Sequence, residues 1–227
     1  MNKSCPLILI TAWCIHFCSP VSAGDMPAGL RLQPFSTVET SVRAAGISDA
    51  ELLARLVYAE TASTGFPDNR PVYEAIAWGV MNRVRLGDAS PSMQKVYGRG
   101  IWGVIFRKGQ FNPAVSKKSP FSREFLCPRD PHRWSMAQAA AQSAINGQIN
   151  PFIATSWEKK HGISLVVNFY YPRSVQAKKP LAPWEAVKGL QFIGDVSIGE
   201  DLLTAEKVRF YRLTCPPGDV AAIHTSE

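Results

Sequence analysis

Glu60 is the residue whose type and position carry the most chemistry. It follows Leu53, Leu56 and Val57 by seven, four and three residues, and at the helical repeat those spacings put it on the same face as three apolar side chains. A carboxyl there points toward the core or into a cleft opening from it, where lost hydration disfavours the charged form and raises the pKa. Glycosidic cleavage needs a carboxyl still protonated near neutral pH, because the leaving oxygen must receive a proton. The competing reading is an exposed or ion-paired Glu near a helix end. Gln110-Phe111 suits a cleft wall, with the Gln holding a sugar amide, and equally a loop cap over a buried Phe. Tyr170 and Tyr171 alternate sides if they lie on a strand, so one is expected to face a cleft while the other packs away. Glu74, Trp78 and Asn82 share a helical face, with Glu74 expected to be a solvated charge. His132, His161 and His224 are not spaced as zinc ligands, and there is no Gly-x-Ser-x-Gly and no phosphate-cradling glycine loop. Neither a metal nor a cofactor is expected.

The elements that must position these groups are mostly helical. Ser48-Asp49-Ala50-Glu51 has the pattern of a capping box and predicts a helix running to about Ser63. Val72, Ile76, Val80 and Val84 predict a second helix over Val72 to Leu86, with Gly87 as its stop. A shorter helix is expected over Met93 to Phe106 and an alanine-rich one over Trp134 to Asn146. Leu165 to Tyr171 and Lys207 to Leu213 are rich in β-branched and aromatic residues and predict two strands of a small sheet. The fold class is α+β, mainly α, with a small antiparallel β appendage.

The chain has 227 residues, is 46% hydrophobic and 19% charged, and carries a net charge of +7, a composition that excludes wholesale disorder. The one long apolar run, Cys5 to Cys18, is too short for a bilayer core of about 30 Å. Lys3, that run, Ser19-Pro20 and Val21-Ser22-Ala23 read as a secretion signal cut after Ala23; an uncleaved anchor is the alternative. The expected organisation is a signal over residues 1–23, a linker or strap over 24–46, the main domain over 47–213 and a tail over 214–227. Cleavage removes Cys5, Cys14 and Cys18. The survivors, Cys127 and Cys215, form an even pair in an exported protein and are expected to be disulfide-bonded, worth about 4 kcal/mol in the chain-entropy model. A basic exported protein suits an anionic polymer of the wall or membrane surface, and the scattered basic residues do not resemble a nucleic-acid-binding arm.

Leu52-Leu53-Ala54-Arg55-Leu56-Val57-Tyr58-Ala59-Glu60, then Met81-Asn82-Arg83-Val84, Val104-Ile105, Gln110-Phe111, Trp134 with its alanine helix, Phe169-Tyr170-Tyr171-Pro172 and Phe210-Tyr211 resemble, in order and spacing, the SleB-like cell wall hydrolases, which include the spore cortex-lytic enzymes. The resemblance spans roughly Leu52 to Arg212. It implies a lysozyme-like, lytic-transglycosylase fold, the peptidoglycan glycan strand as substrate, and one catalytic Glu, which maps onto Glu60. It makes Tyr58, Asn82, Gln110, Phe111 and Tyr170 the expected substrate contacts, and the periplasm or cell envelope the expected location. The chain departs from the family in three ways: Glu60 is followed by Thr61-Ala62-Ser63 with no second Glu, Val208 and Arg209 stand where a His is usual, and the stretches over 86–99 and 173–198 are longer. Two other functions stay open on sequence: a non-catalytic wall-binding or assembly protein, and a cysteine peptidase or amidase using Cys127 with His132 or His161.

Overall fold

The computed structural model describes residues 26–32 and 34–220; the signal expected over residues 1–23 lies outside the described residues. The stretch expected to be a linker holds a short helix, α1 (Val38–Ala44), capped by the Thr37 side chain. Ahead of it, a strap is tied to the domain: Leu30 N–H donates to Leu126 O at 2.8 Å.

Ser48 starts α2 (Asp49–Thr64) by accepting from Glu51 N–H at 3.1 Å. The other half of the expected capping box is missing. Glu51 turns instead to Arg55, whose Nε and Nη2 both reach its Oε1 at 2.9 and 2.8 Å. Arg55 has no solvent exposure and also donates to Leu126 O (2.9 Å) and Ala28 O (2.6 Å). A buried cation outcompetes a backbone N–H for a carboxylate, because leaving it unpaired costs more.

α3 (Arg70–Ala89) runs past its expected stop at Gly87. A Cβ at Gly87 would lie 2.4 Å from Gly98 O, so this glycine serves close backbone approach rather than termination. The helix ends at Ser90, whose side chain caps α4 (Pro91–Tyr97). The single helix expected over Met93 to Phe106 is two, α4 and α5 (Gly100–Ile105). The break falls at Gly98 and Gly100, with φ of 101° and 61°, a region most residues avoid. Two short turns, α6 (Asn112–Val115) and α7 (Ser122–Leu126), lead to α8 (Pro131–Ile145), capped by Asp130. α9 (Ser156–His161) has a complete capping box from Thr155 and Glu158.

The expected strands are present as β1 (Val166–Tyr170) and β5 (Arg209–Leu213), paired antiparallel with Phe169 opposite Phe210. β2 (Leu190–Phe192) adds to the other edge of β5, giving the order β1-β5-β2, while β3 (Val196–Ile198) and β4 (Asp201–Leu203) form a separate hairpin. The fold is therefore mainly helical, with two small antiparallel sheets. α2, α3 and α8 pack against one another, and β1 lies against α3. A Cβ at Gly79 of α3 would sit 2.8 Å from the Phe169 ring. That glycine lets β1 approach closely enough to bring the end of the strand beside the end of α2.

Candidate active site

Glu60 lies in the C-terminal half of α2 and is 6% exposed. It borders a cavity of about 380 Å³, together with Arg83 from α3, Gln110 from the turn before α6, Tyr170 and Tyr171 from the end of β1, and Trp184 from the segment between β1 and β2. Among the described residues Glu60 is the one carboxyl lining this space. Burial pushes its pKa from the usual 4.5 up to about 7; the Tyr171 hydroxyl and the Arg83 guanidinium favour the charged form and offset part of that rise. The Tyr171 hydroxyl is sealed from solvent and has no hydrogen-bond partner of ordinary geometry, so it acts on the carboxyl as a neighbouring dipole. Burial, and the proximity of Glu60, hold the Tyr171 phenol well above its usual range. At neutral pH the site thus offers a carboxyl close to half-protonated beside a neutral phenol.

Arg83 is anchored on two sides. Its Nε donates to Val167 O at 2.5 Å and its Nη1 to Gln110 Oε1 at 2.6 Å, and the guanidinium lies 4.9 Å from the ring centroids of both Phe111 and Phe169. Burial lowers its pKa to about 10, with Tyr97, Tyr171 and Glu60 pulling it back up, so it remains a cation at neutral pH. Because Arg83 can only donate, it binds the Oε1 end of the Gln110 amide, which accepts, and turns the amide nitrogen the other way.

The structure brings Glu60, Gln110 and Tyr170 to the cavity and leaves other expected contacts out of it. Tyr58 is 4% exposed, and its hydroxyl accepts from the N–H groups of Arg129 (3.3 Å) and Asp130 (3.1 Å), securing the start of α8. Asn82 is wholly buried: its Nδ2 donates to Val166 O at 2.9 Å and its Oδ1 accepts from Asn150 at 2.8 Å, so both ends of the amide are used, one joining α3 to β1 and the other to the turn after α8. Phe111 is 1% exposed and packs on Phe169 beneath Arg83, supporting the wall without forming it. Tyr170 also spends its hydroxyl, donating to Lys179 O and so tying down the segment over 172–189. The expectation that only one of Tyr170 and Tyr171 faces the cleft fails. β1 ends at Tyr170, so strand alternation does not extend to Tyr171 and both border the cavity.

The expected Cys127–Cys215 disulfide is absent and both thiols are free. Cys127 caps α7, where its Sγ would lie 3.1 Å from a Cβ at Gly29, whereas Cys215 is exposed beyond β5. Even parity of cysteines says nothing about where the fold puts them. Glu74 pairs with Arg70 at 2.9 Å rather than standing free. His132 is exposed, and His161 bonds Trp157 O at 2.8 Å and stacks on that indole; neither borders the cavity. No cluster of three or more His, Cys, Asp or Glu side chains suited to a metal occurs among the described residues.

Arg83 and Trp184 were not among the expected site residues, and Tyr171 was expected only as the alternative to Tyr170. For Arg83 the signal was present, since it follows Val80 by three residues and Ile76 by seven, the spacing that picked out Glu60. Trp184 lies in a stretch with no period and carried no such signal. Comparison with protein-family models, with curated proteins and with solved structures gives no match to this chain.

Proposed function

We propose that this protein is an exported glycosidase of the cell envelope that cleaves peptidoglycan glycan strands, with Glu60 as the proton donor and a lysozyme-like arrangement of α2, α3 and β1 around it. One observation carries the reading: the one carboxyl that lines the cavity among the described residues is buried enough to stay substantially protonated near pH 7. The cavity wall is otherwise uncharged apart from Arg83, and side-chain amides of Gln110, Asn112, Asn168 and Gln176 border it, a lining suited to a neutral, hydroxyl- and amide-bearing ligand.

One carboxyl favours lytic transglycosylation over hydrolysis with paired carboxylates. The Glu60 carboxyl gives its proton to the glycosidic oxygen as the bond from C1 to that oxygen breaks. The resulting carboxylate takes the proton of the muramic 6-hydroxyl as that oxygen bonds to C1. The carboxyl ends as it began, and the product is a 1,6-anhydro sugar formed without water. The acetamido group of the same sugar stabilises the cation-like intermediate.

Zymography on peptidoglycan tests the reading. Lysis by the parent and its loss in Glu60→Gln are expected, with Glu74→Gln behaving as the parent. Mass spectrometry of the products should show the loss of water that marks the anhydro end. Lysis by Glu60→Gln at the parent rate would remove the mechanism. Binding to peptidoglycan without lysis by either protein would favour a wall-binding role.

A further inference from the structure

A second, shallower cavity of about 710 Å³ adjoins the Glu60 cavity. It is lined by Glu39, Trp102, Gly103, Phe106, Arg107 and Lys108, and it shares Gly109 with the first. Its floor is aromatic, with Trp102 and Phe106 stacked at 5.6 Å. Its acid is already neutralised: Glu39 is bound by Arg43 at 2.8 Å, and the Arg43 guanidinium lies 4.6 Å over Trp102. Asp49, nearby, accepts from the Trp102 indole N–H at 2.8 Å. Its cations are not neutralised. Arg107 is exposed and donates to the uncharged Lys95 carbonyl, and among the described residues neither it nor the exposed Lys108 pairs with an acid. Inside the Glu60 cavity the situation is the reverse, because the one cation there is held by Val167 O and Gln110.

We propose that this second cavity is a subsite for a carboxylate-bearing branch of the strand whose sugar occupies the Glu60 cavity, so that the protein selects glycan still carrying its peptide stems over stripped glycan. The inference rests on the glycan reading above. A polymer bound at Glu60 leaves the first cavity past Gly109, and the surface it meets there has an apolar floor and two unpaired cations. Stem peptides supply the matching groups, apolar side chains and free carboxylates. Arg107 and Lys108 stand at the rim, where exposed ion pairs are individually weak and sensitive to salt. The selectivity is therefore modest and depends on ionic strength.

The test compares kcat/KM on intact peptidoglycan strands and on strands stripped of their peptides by an amidase. The parent is expected to prefer intact strands at low salt. Lys108→Glu should cut that preference roughly 3- to 10-fold, Lys108→Arg should restore it, and about 0.3 M salt should erode it in the parent. Equal rates on both substrates in the parent, or a preference unmoved by Lys108→Glu, would overturn the subsite while leaving the glycan reading intact, since stripped strands would still be cut. If the parent cuts neither substrate, the glycan reading and the subsite fall together.

Discussion

A buried carboxyl that titrates near pH 7 costs folding free energy once it is charged, and the sign of that cost makes Glu60 testable apart from any activity. Folded Glu60 titrates at about 7, against a usual value of 4.5. Between those values the folded protein holds a proton that the unfolded chain has released. The contribution to stability is therefore fully present below about pH 4.5 and is lost as the pH rises through about 7. Gln has no charge to desolvate. Glu60→Gln is expected to melt higher than the parent at pH 8, by up to about 3 kcal/mol, with the gap closing by pH 4; thermal melts at the two pH values check it. A gap independent of pH would mean that the carboxyl is not desolvated. In the active parent, kcat/KM should fall with rising pH through an apparent pKa near 7, since the acid must be protonated to act. Loss of that acid in Glu60→Gln should lower the rate roughly 100- to 10,000-fold.

At the scale of elements, the contact between α3 and β1 decides whether the site forms. Gly79 gives Phe169 the room to sit against the helix, and Phe169 in turn carries Phe111 and the Arg83 guanidinium. Gly79→Ala would gain helix propensity of about 1 kcal/mol but place a methyl 2.8 Å from a ring that packs against Phe210 and Phe111. Overpacking of that kind costs about 1–3 kcal/mol. Gly79→Ala should therefore lower the urea midpoint and reduce activity as well, because displacing Phe169 displaces Arg83. A variant more stable than the parent would show that β1 does not press on α3 as described.

Across the whole molecule, one buried side chain reinforces the backbone bond from Leu30 to Leu126 that holds the N-terminal strap. Arg55 joins α2 to the strap at Ala28 and to the end of α7 at Leu126. Replacing it with Met removes the donor to Ala28 O, leaves Leu126 O with the Leu30 N–H alone, and lets Glu51, which is partly exposed, return to water. A loss of about 2–4 kcal/mol is expected, and limited proteolysis should cut near residues 26–31 earlier than in the parent. Among the described residues no disulfide backs up this tie. In protein lacking residues 1–23, thiol titration without denaturant should find Cys215 reacting at once and Cys127 slowly. Finding no thiol would restore the disulfide that the structure does not contain.

The sequence by itself determined the parts that rest on local pattern. The Ser48 cap of α2, the apolar rows of α2 and α3, the alanine run of α8, the β-branched runs of β1 and β5, and the apolar-face position of Glu60 all follow from spacings within one element. The same spacing rule applied to Arg83 would have found the second charge of the site. Only the tertiary structure decided which polar residues reach the cavity. Tyr58 and Asn82 share the motifs of Glu60 and Arg83, yet their polar atoms are taken up by α8, β1 and Asn150. Whether a side chain has a free hydrogen-bonding end depends on partners far away in the chain, and no local period encodes those. The same holds for the segment over 172–189, which has no repeat and is placed by Tyr170 bonding Lys179 and by Glu185 accepting from Arg209 and Tyr211. It holds also for the two thiols, whose positions depend on where α7 and β5 end rather than on how many cysteines survive.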